Sequence, residues 1–219
     1  MPKIVDASVR RQEVIDAVWR IVLRDGVEAA SLRRVADEAG LAIGSVRHYF
    51  VSHEELLGAA AQAMVDRLAA RIEDHVAAVD ESTDRRTLAT ELLEELLPLD
   101  RRRADEVGLW LAFSAAARTN PALEAQARQI HLGSRTLARK ILHQTPLRDD
   151  EAEIEYLCIV VDGLSLAGVL QPGSLTPGRI REVLARHLDG VQQRAAEAVN
   201  AQSPSRTSAR RSGCDKKGE

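Results

Sequence analysis

Several things are scarce in this chain, and each scarcity removes a class of protein. Only two cysteines occur, Cys158 and Cys214, so neither a disulfide framework nor a Cys-based metal site can be built. The six histidines are scattered, with no H-E-x-x-H spacing, so no catalytic metal and no cofactor is expected. No run of about 18 uncharged apolar residues is present, which excludes an expected membrane span. The N-terminus lacks an apolar signal core, so the expected compartment is the cytoplasm. Aromatic residues make up 3% of the chain, and this poverty, with abundant Ala, Leu, Arg and Glu, favours helix over strand.

What is present is helical periodicity almost throughout. The spacing of Val14, Ala17, Val18, Ile21 and Val22 predicts a helix over 9–24, ended by Gly26. Ser31 caps a second helix to Ala39, Gly40 makes a turn, and a third helix spans 42–48. Ser52 and Glu55 form a capping box that opens a long helix to Val79. Further helices are predicted over 85–97, stopped at Pro98, and over 103–118. Asn120-Pro121 opens another to Gln144, Asp149 or Asp150 caps one to Leu170, and Thr176-Pro177 starts the last, to Ala198. The fold class is therefore all-α.

Net charge is −3, but it is unevenly spread: residues 1–50 carry +1, residues 51–200 carry −7, and residues 201–219 carry +3. The expected organisation is a head over 1–52, a larger helical layer over 53–200 and a disordered basic tail over 201–219. For so short a charge run the tail reads as a solubilising end rather than a nucleic-acid contact.

The segment SLRRVADEAGLAIGSVRHYF, Ser31–Phe50, is a helix, a tight Gly turn and a second helix, the helix-turn-helix layout. The second helix is short and polar outside, as entry into a major groove about 12 Å wide requires. Val35, Ala36, Ala39, Leu41 and Val46 supply a small apolar hinge between the two. Ser31 stands at a helix N-terminus, where a hydroxyl and free N–H groups suit a phosphate oxygen.

Residues 9–57, through Gly26, this segment and the SHEELL that follows, resemble the DNA-binding domain of the TetR family of bacterial regulators. The RHYF stretch is similar to the branch that includes the betaine-pathway repressors. The resemblance implies a ligand-responsive repressor that binds a palindromic operator on double-stranded DNA as a homodimer. It places Ser31 and Arg33 on DNA at the start of the second helix. Ile43, Gly44, Ser45, Arg47 and His48 fall on the reading helix, with Tyr49 at its end and His53 just beyond. Two positions depart from the family pattern. Arg47 stands where Tyr is usual, and could grip phosphate or read guanine. His53 stands where Lys is usual, which predicts a weaker, pH-sensitive phosphate contact.

The resemblance also implies a C-terminal domain that takes a small-molecule effector. Trp110 and Phe113 stand out in a chain so poor in aromatics, and with Met64, Arg118, His131 and Tyr156 they are the candidates to line its cavity. Ordinary core packing is an equal reading for the aromatics. The segment IEYLCIVVDGLSLAGVL is apolar nearly all round. Residues 150–170 and 176–198 from two chains are expected to form a four-helix interface. Tyr156, Val160, Gly163, Leu164, Ala167 and Gly168 would come from one helix, and Ile180, Val183, Leu184 and His187 from the other.

Two other classes compete. GLSLA, Gly163–Ala167, is one residue short of a serine-hydrolase elbow, but its serine falls inside a predicted helix rather than after a strand. A helical scaffold that uses the N-terminal helices for protein contact is the second.

Overall fold

The computed structural model describes residues 7–202 apart from Glu81 and Gln144. The predicted disordered tail therefore falls almost wholly outside the described residues. Nine α-helices and no strand are found among the described residues. The head is α1 (Ala7–Asp25), α2 (Leu32–Ala39) and α3 (Ile43–Tyr49), and α4 (His53–Ala77) leads out of it. The second layer is α5 (Arg85–Glu94), α6 (Arg101–Ala117), α7 (Glu124–Leu142), α8 (Glu151–Leu170) and α9 (Pro177–Gln202). No described helix is long and apolar enough to cross a membrane.

Caps set most of these boundaries. Ser52 Oγ accepts from the Glu55 N–H at 3.1 Å, while Glu55 Oε2 accepts from the Val51 N–H at 2.8 Å, one residue earlier than in the usual box. Asp150 Oδ1 accepts from the N–H groups of Ala152 and Glu153 and starts α8. Asp100 Oδ1 accepts from the Arg103 N–H, which opens α6 two residues before the predicted start. Asn120-Pro121 does not lead straight into an α-helix. It opens a 3-10 turn, Pro121–Leu123, and α7 follows.

Two cores result. In the first, Val14, Val18, Val22, Val35, Val46 and Phe50 of the head close on Leu56, Leu57 and Met64 of α4 and on Leu109 and Phe113 of α6. The head's core thus runs on past residue 52 into the second layer. Trp19 fixes the join, because its Nε1–H donates to the Ala60 carbonyl at 3.0 Å, a buried bond between α1 and α4. In the second core, Leu157, Val161 and Leu164 of α8 pack against Ile180, Leu184 and Leu188 of α9 and against Leu97 and Leu142.

That packing corrects part of the expected interface. Leu164, Gly168, Ile180, Leu184 and His187 are buried within their own chain and are not free for a partner. Gly168 serves close approach. A Cβ there would lie 2.5 Å from Pro98 Cγ and 3.0 Å from Ile180 Cδ1, so the α5–α6 connection and α9 both press on it. Tyr156, Gly163 and Val183 are exposed, and Val160 and Ala167 are half-buried.

Candidate nucleic-acid interface

The site is built on a rigid turn. Gly40 ends α2 at φ 67°, a left-handed conformation that suits glycine. The N–H groups of Gly40 and Leu41 both return to the Ala36 carbonyl, so the chain reverses tightly before α3. Val35, Ala36 and Val46 are fully buried between α2 and α3. The small Ala36 lets the two helices cross closely. Phe50 caps α3 from the inside, fully buried, with its N–H on the Val46 carbonyl at 3.0 Å.

The outer face then follows from the period of the helix. With Val46 inward, Ile43, Gly44, Ser45, Arg47 and His48 are all exposed on α3. Seven residues span about 10 Å at about 1.5 Å each, short enough to lie within one groove. Tyr49 is half-buried against the head core, with its ring edge-on to His48 at 5.2 Å. Ser31 is exposed and caps α2, its Oγ accepting from the Arg34 N–H. His53 begins α4, and its Nε2 is buried without a hydrogen-bond partner, so that nitrogen does not face a groove.

Electrostatics separate the arginines of the head. Arg20 and Arg24 both bond Glu38, at 2.9 and 3.1 Å, and hold its carboxyl below the usual carboxylate range. Arg34 pairs with Asp25 at 2.5 Å. Arg11 stands over the Phe50 ring, 5.0 Å from its centroid. Arg33 and Arg47 are exposed, and neither has a hydrogen bond or ion pair among the described residues. These two guanidinium groups flank the turn and are uncommitted, which is the state a phosphate or a guanine edge requires.

The six effector candidates do not line one cavity. Met64 and Phe113 are buried in the first core, and Trp110 packs on it half-buried. Arg118 and His131 are exposed, His131 with Nδ1 3.2 Å from Arg135 Nη1. Tyr156 is exposed on α8 and meets the His187 ring edge-on at 4.7 Å. Neither of two clefts, one beside α4 and one between α5, α7 and α8, is lined by any of the six. The serine of GLSLA, Ser165, is buried inside α8 and donates to the Leu96 carbonyl at 2.9 Å, which excludes a nucleophile elbow.

A short polar helix pinned across a Gly turn, on a three-helix head carried by an all-helical body, defines a helix-turn-helix DNA-binding protein. Comparison with known proteins gives the family. The profile described as bacterial regulatory proteins, tetR family, matches residues 14–60, and that of the BetI-type transcriptional repressor C-terminal domain matches residues 85–193. The chain is 34% identical to the HTH-type transcriptional regulator PksA of Bacillus subtilis over 195 residues, 87% of this chain and 94% of that protein. Its fold is similar to the crystal structure of a transcriptional regulator from Rhodococcus sp. Rha1, with TM-score 0.73, 30% identity, and coverage of 84% of this chain and 97% of that one. It is also similar to the multidrug binding protein EbrR complexed with ethidium, with TM-score 0.56, 30% identity, and coverage of 83% and 99%. The chain belongs to the TetR family and is a DNA-binding transcriptional regulator, not an enzyme. Its C-terminal layer is similar to that of the BetI-type transcriptional repressors.

Sequence reasoning missed three things: the burial of Glu95 among arginines, the stance of Arg11 over Phe50 within the head, and the cleft along α4. Arg11 had no signal, because a guanidinium over a ring needs two segments 39 residues apart to meet.

Proposed function

We propose that the chain acts in the cytoplasm as a symmetric dimer that sets two copies of α3 in successive major grooves of a palindromic operator and represses until a small effector loads the second layer. Arg33 and Arg47 supply the contacts at each half-site, with Ser31, Gly44, Ser45 and Tyr49 close to the sugar-phosphate backbone. Ile43 and His48 face base edges. The observation that carries the reading is the pair Arg33 and Arg47, exposed and unpaired while Arg20, Arg24 and Arg34 beside them are all engaged by carboxylates.

The outward face of α8 supports the dimer. Ala152, Tyr156, Ile159, Gly163, Leu166 and Leu170 are all exposed and recur by alternate steps of four and three, the spacing of a helix-packing seam. Gly163 has nothing within 4 Å of a Cβ position, so a second helix can come close there. Tyr156, Gly163 and Val183 remain from the interface expected on sequence grounds, with Val160 and Ala167 at its margin.

A small-molecule effector is supported by the similarity to EbrR in complex with ethidium. Met64, Trp110 and Phe113 share one packed cluster between α4 and α6, and parting them would tilt α4. Half-sites recur about 34–36 Å apart, so a shift of a few ångströms at α3 breaks simultaneous contact. A tenfold release needs about 1.4 kcal/mol of differential affinity for the DNA-free state.

Selection of bound DNA from a random pool tests the reading. A recovered palindrome supports it. Recovery of a single asymmetric half-site, or of no sequence, would overturn it.

A further inference from the structure

Seven arginines lie between Arg10 and Arg47. Four close on carboxylates: Arg10 on Glu13 at 2.7 Å, Arg20 and Arg24 on Glu38, and Arg34 on Asp25. Arg33 and Arg47 carry the reading above. The seventh, Arg11, lies outside the helix-turn-helix segment, in the second turn of α1. It is exposed and has no hydrogen bond or ion pair among the described residues. What holds it is the Phe50 ring, whose centroid lies 5.0 Å from its Cζ.

That hold differs from an ion pair. The face of a ring attracts a cation through its quadrupole. It leaves the charge unneutralised and the five N–H groups of a guanidinium without an oxygen acceptor. The ring is itself fixed. Phe50 is fully buried, ends α3 and donates its N–H to the Val46 carbonyl at 3.0 Å. Arg11 is therefore held at the C-terminal end of the reading helix with its donors free. A side chain already restrained in this way loses less freedom when it binds an anion.

The carboxylates nearby are turned elsewhere. Glu13, two positions on, takes Arg10. Glu54 and Glu55 border the same cleft as Arg11, but neither pairs with it. Glu55 accepts from the Val51 N–H at 2.8 Å. Hydrogen bonds from its own backbone N–H and then from the Ser52 hydroxyl hold the Glu54 carboxyl below the usual range.

We propose that Arg11 is a third phosphate contact, made from α1 beside the end of α3. The proposal rests on the DNA reading above and extends the contact surface past the helix-turn-helix segment. A helix set in the major groove has a phosphate strand on either side, so a free guanidinium at its end meets backbone rather than base edges. Such a contact carries no sequence information and sets how firmly the head is seated.

The test is fluorescence anisotropy of the full chain over a salt series. The probes are the duplex recovered from the random pool and a scrambled duplex of the same length. Arg11→Gln should bind both about tenfold more weakly, the size of one charge-assisted hydrogen bond, with a slope of log affinity against log salt shallower by about one. Arg11→Lys keeps the charge and should keep the slope. Arg10→Gln removes the same charge from an arginine already paired, and should leave the slope unchanged. The melting temperature of Arg11→Gln should match the parent, since an exposed side chain without a hydrogen bond adds little to folding. An unchanged slope in Arg11→Gln overturns the proposal. If that comes with a lower melting temperature, Arg11 is only a brace for Phe50. Equal flattening by Arg10→Gln also overturns it, because the attraction is then diffuse. Operator affinity lost in Arg47→Ala but kept in Arg11→Gln removes the α1 contact alone, whereas a parent chain that binds neither duplex removes the DNA reading with it.

Discussion

Arg71 Nε stands 2.6 Å from Oε2 of Glu95, and that carboxylate is buried where α4, α5 and α6 meet. Arg71 also reaches Glu106, Nη2 to Oε2 at 2.6 Å, while Arg102 and Arg103 of α6 close on Glu95 at 3.3 and 2.9 Å. His75, one turn further along α4, lies 3.6 Å from the same carboxylate. Burial alone would raise the Glu95 carboxyl, but Arg71, Arg103 and Arg102 outweigh it and hold the group below its usual range.

Removing the carboxylate leaves three guanidinium groups crowded together. Glu95→Ala is expected to cost about 3–5 kcal/mol in urea unfolding, the scale for breaking a buried ion pair by deleting one partner. Because the folded group has a depressed pKa, its contribution is full above the ordinary glutamate value of about 4.3. It is lost as pH falls through the lower folded value. The acid limb of the stability curve should therefore be flatter in Glu95→Gln. An unchanged acid limb would show that other carboxylates carry it.

The two uncommitted arginines should differ from their engaged neighbour on DNA. Arg47→Ala and Arg33→Ala are each expected to cost about 1–3 kcal/mol of operator affinity. Where the lost contact is to phosphate, the variant's slope of log affinity against log salt should also be shallower by about one. Arg34→Ala, which frees Asp25 instead, should leave that slope unchanged. Fluorescence anisotropy over a salt series reads all three.

The two faces of α8 should respond differently. Ile159→Glu places a charge on the exposed stripe and should yield a folded monomer with weak operator binding. Leu164→Ala lies inward and should cost about 2–5 kcal/mol of stability. Light scattering and thermal melts on both variants separate assembly from folding. An Ile159→Glu chain that remains dimeric would remove the stripe from the interface.

His187 makes the body sensitive to mild acid. Burial lowers its pKa, with Arg194 adding to the effect, and its Nε2 is buried without a partner. The folded chain thus holds this ring neutral at a pH where the unfolded chain protonates it. Stability from this source is full above the unfolded value of about 6.5 and falls as pH drops below it. His187→Gln should remove that slope, read as melting temperature against pH. A slope that persists in the variant would assign it to another group.

Much of this was legible because caps are local. Ser31, Ser52, Asp150 and Thr176 announced their helices, and the polar face of α3 followed once Val46 was known to point inward. What could not be read was direction in α8. A helix that is apolar nearly all round has no periodic signal to say which side meets its own chain. Leu164 turned inward and Gly163, one residue away, outward because Pro98 and Ile180 occupy the Gly168 side. The direction of Trp110 and Phe113 was hidden for a similar reason: rarity of aromatics says nothing of where they point, and both lie in or on the first core. The Glu95 cluster was hidden in ELLEELL, where the pattern looks like an ordinary amphipathic turn.

The indole of Trp19, bonded to the Ala60 carbonyl inside the first core, welds the DNA-reading module to its stalk. No joint can flex between them without stranding a buried donor in a dry interior. Rotation of the stalk is consequently passed on to the reading helix, and the freedom a signal exploits has to lie where α4 meets α6 rather than between α1 and α4.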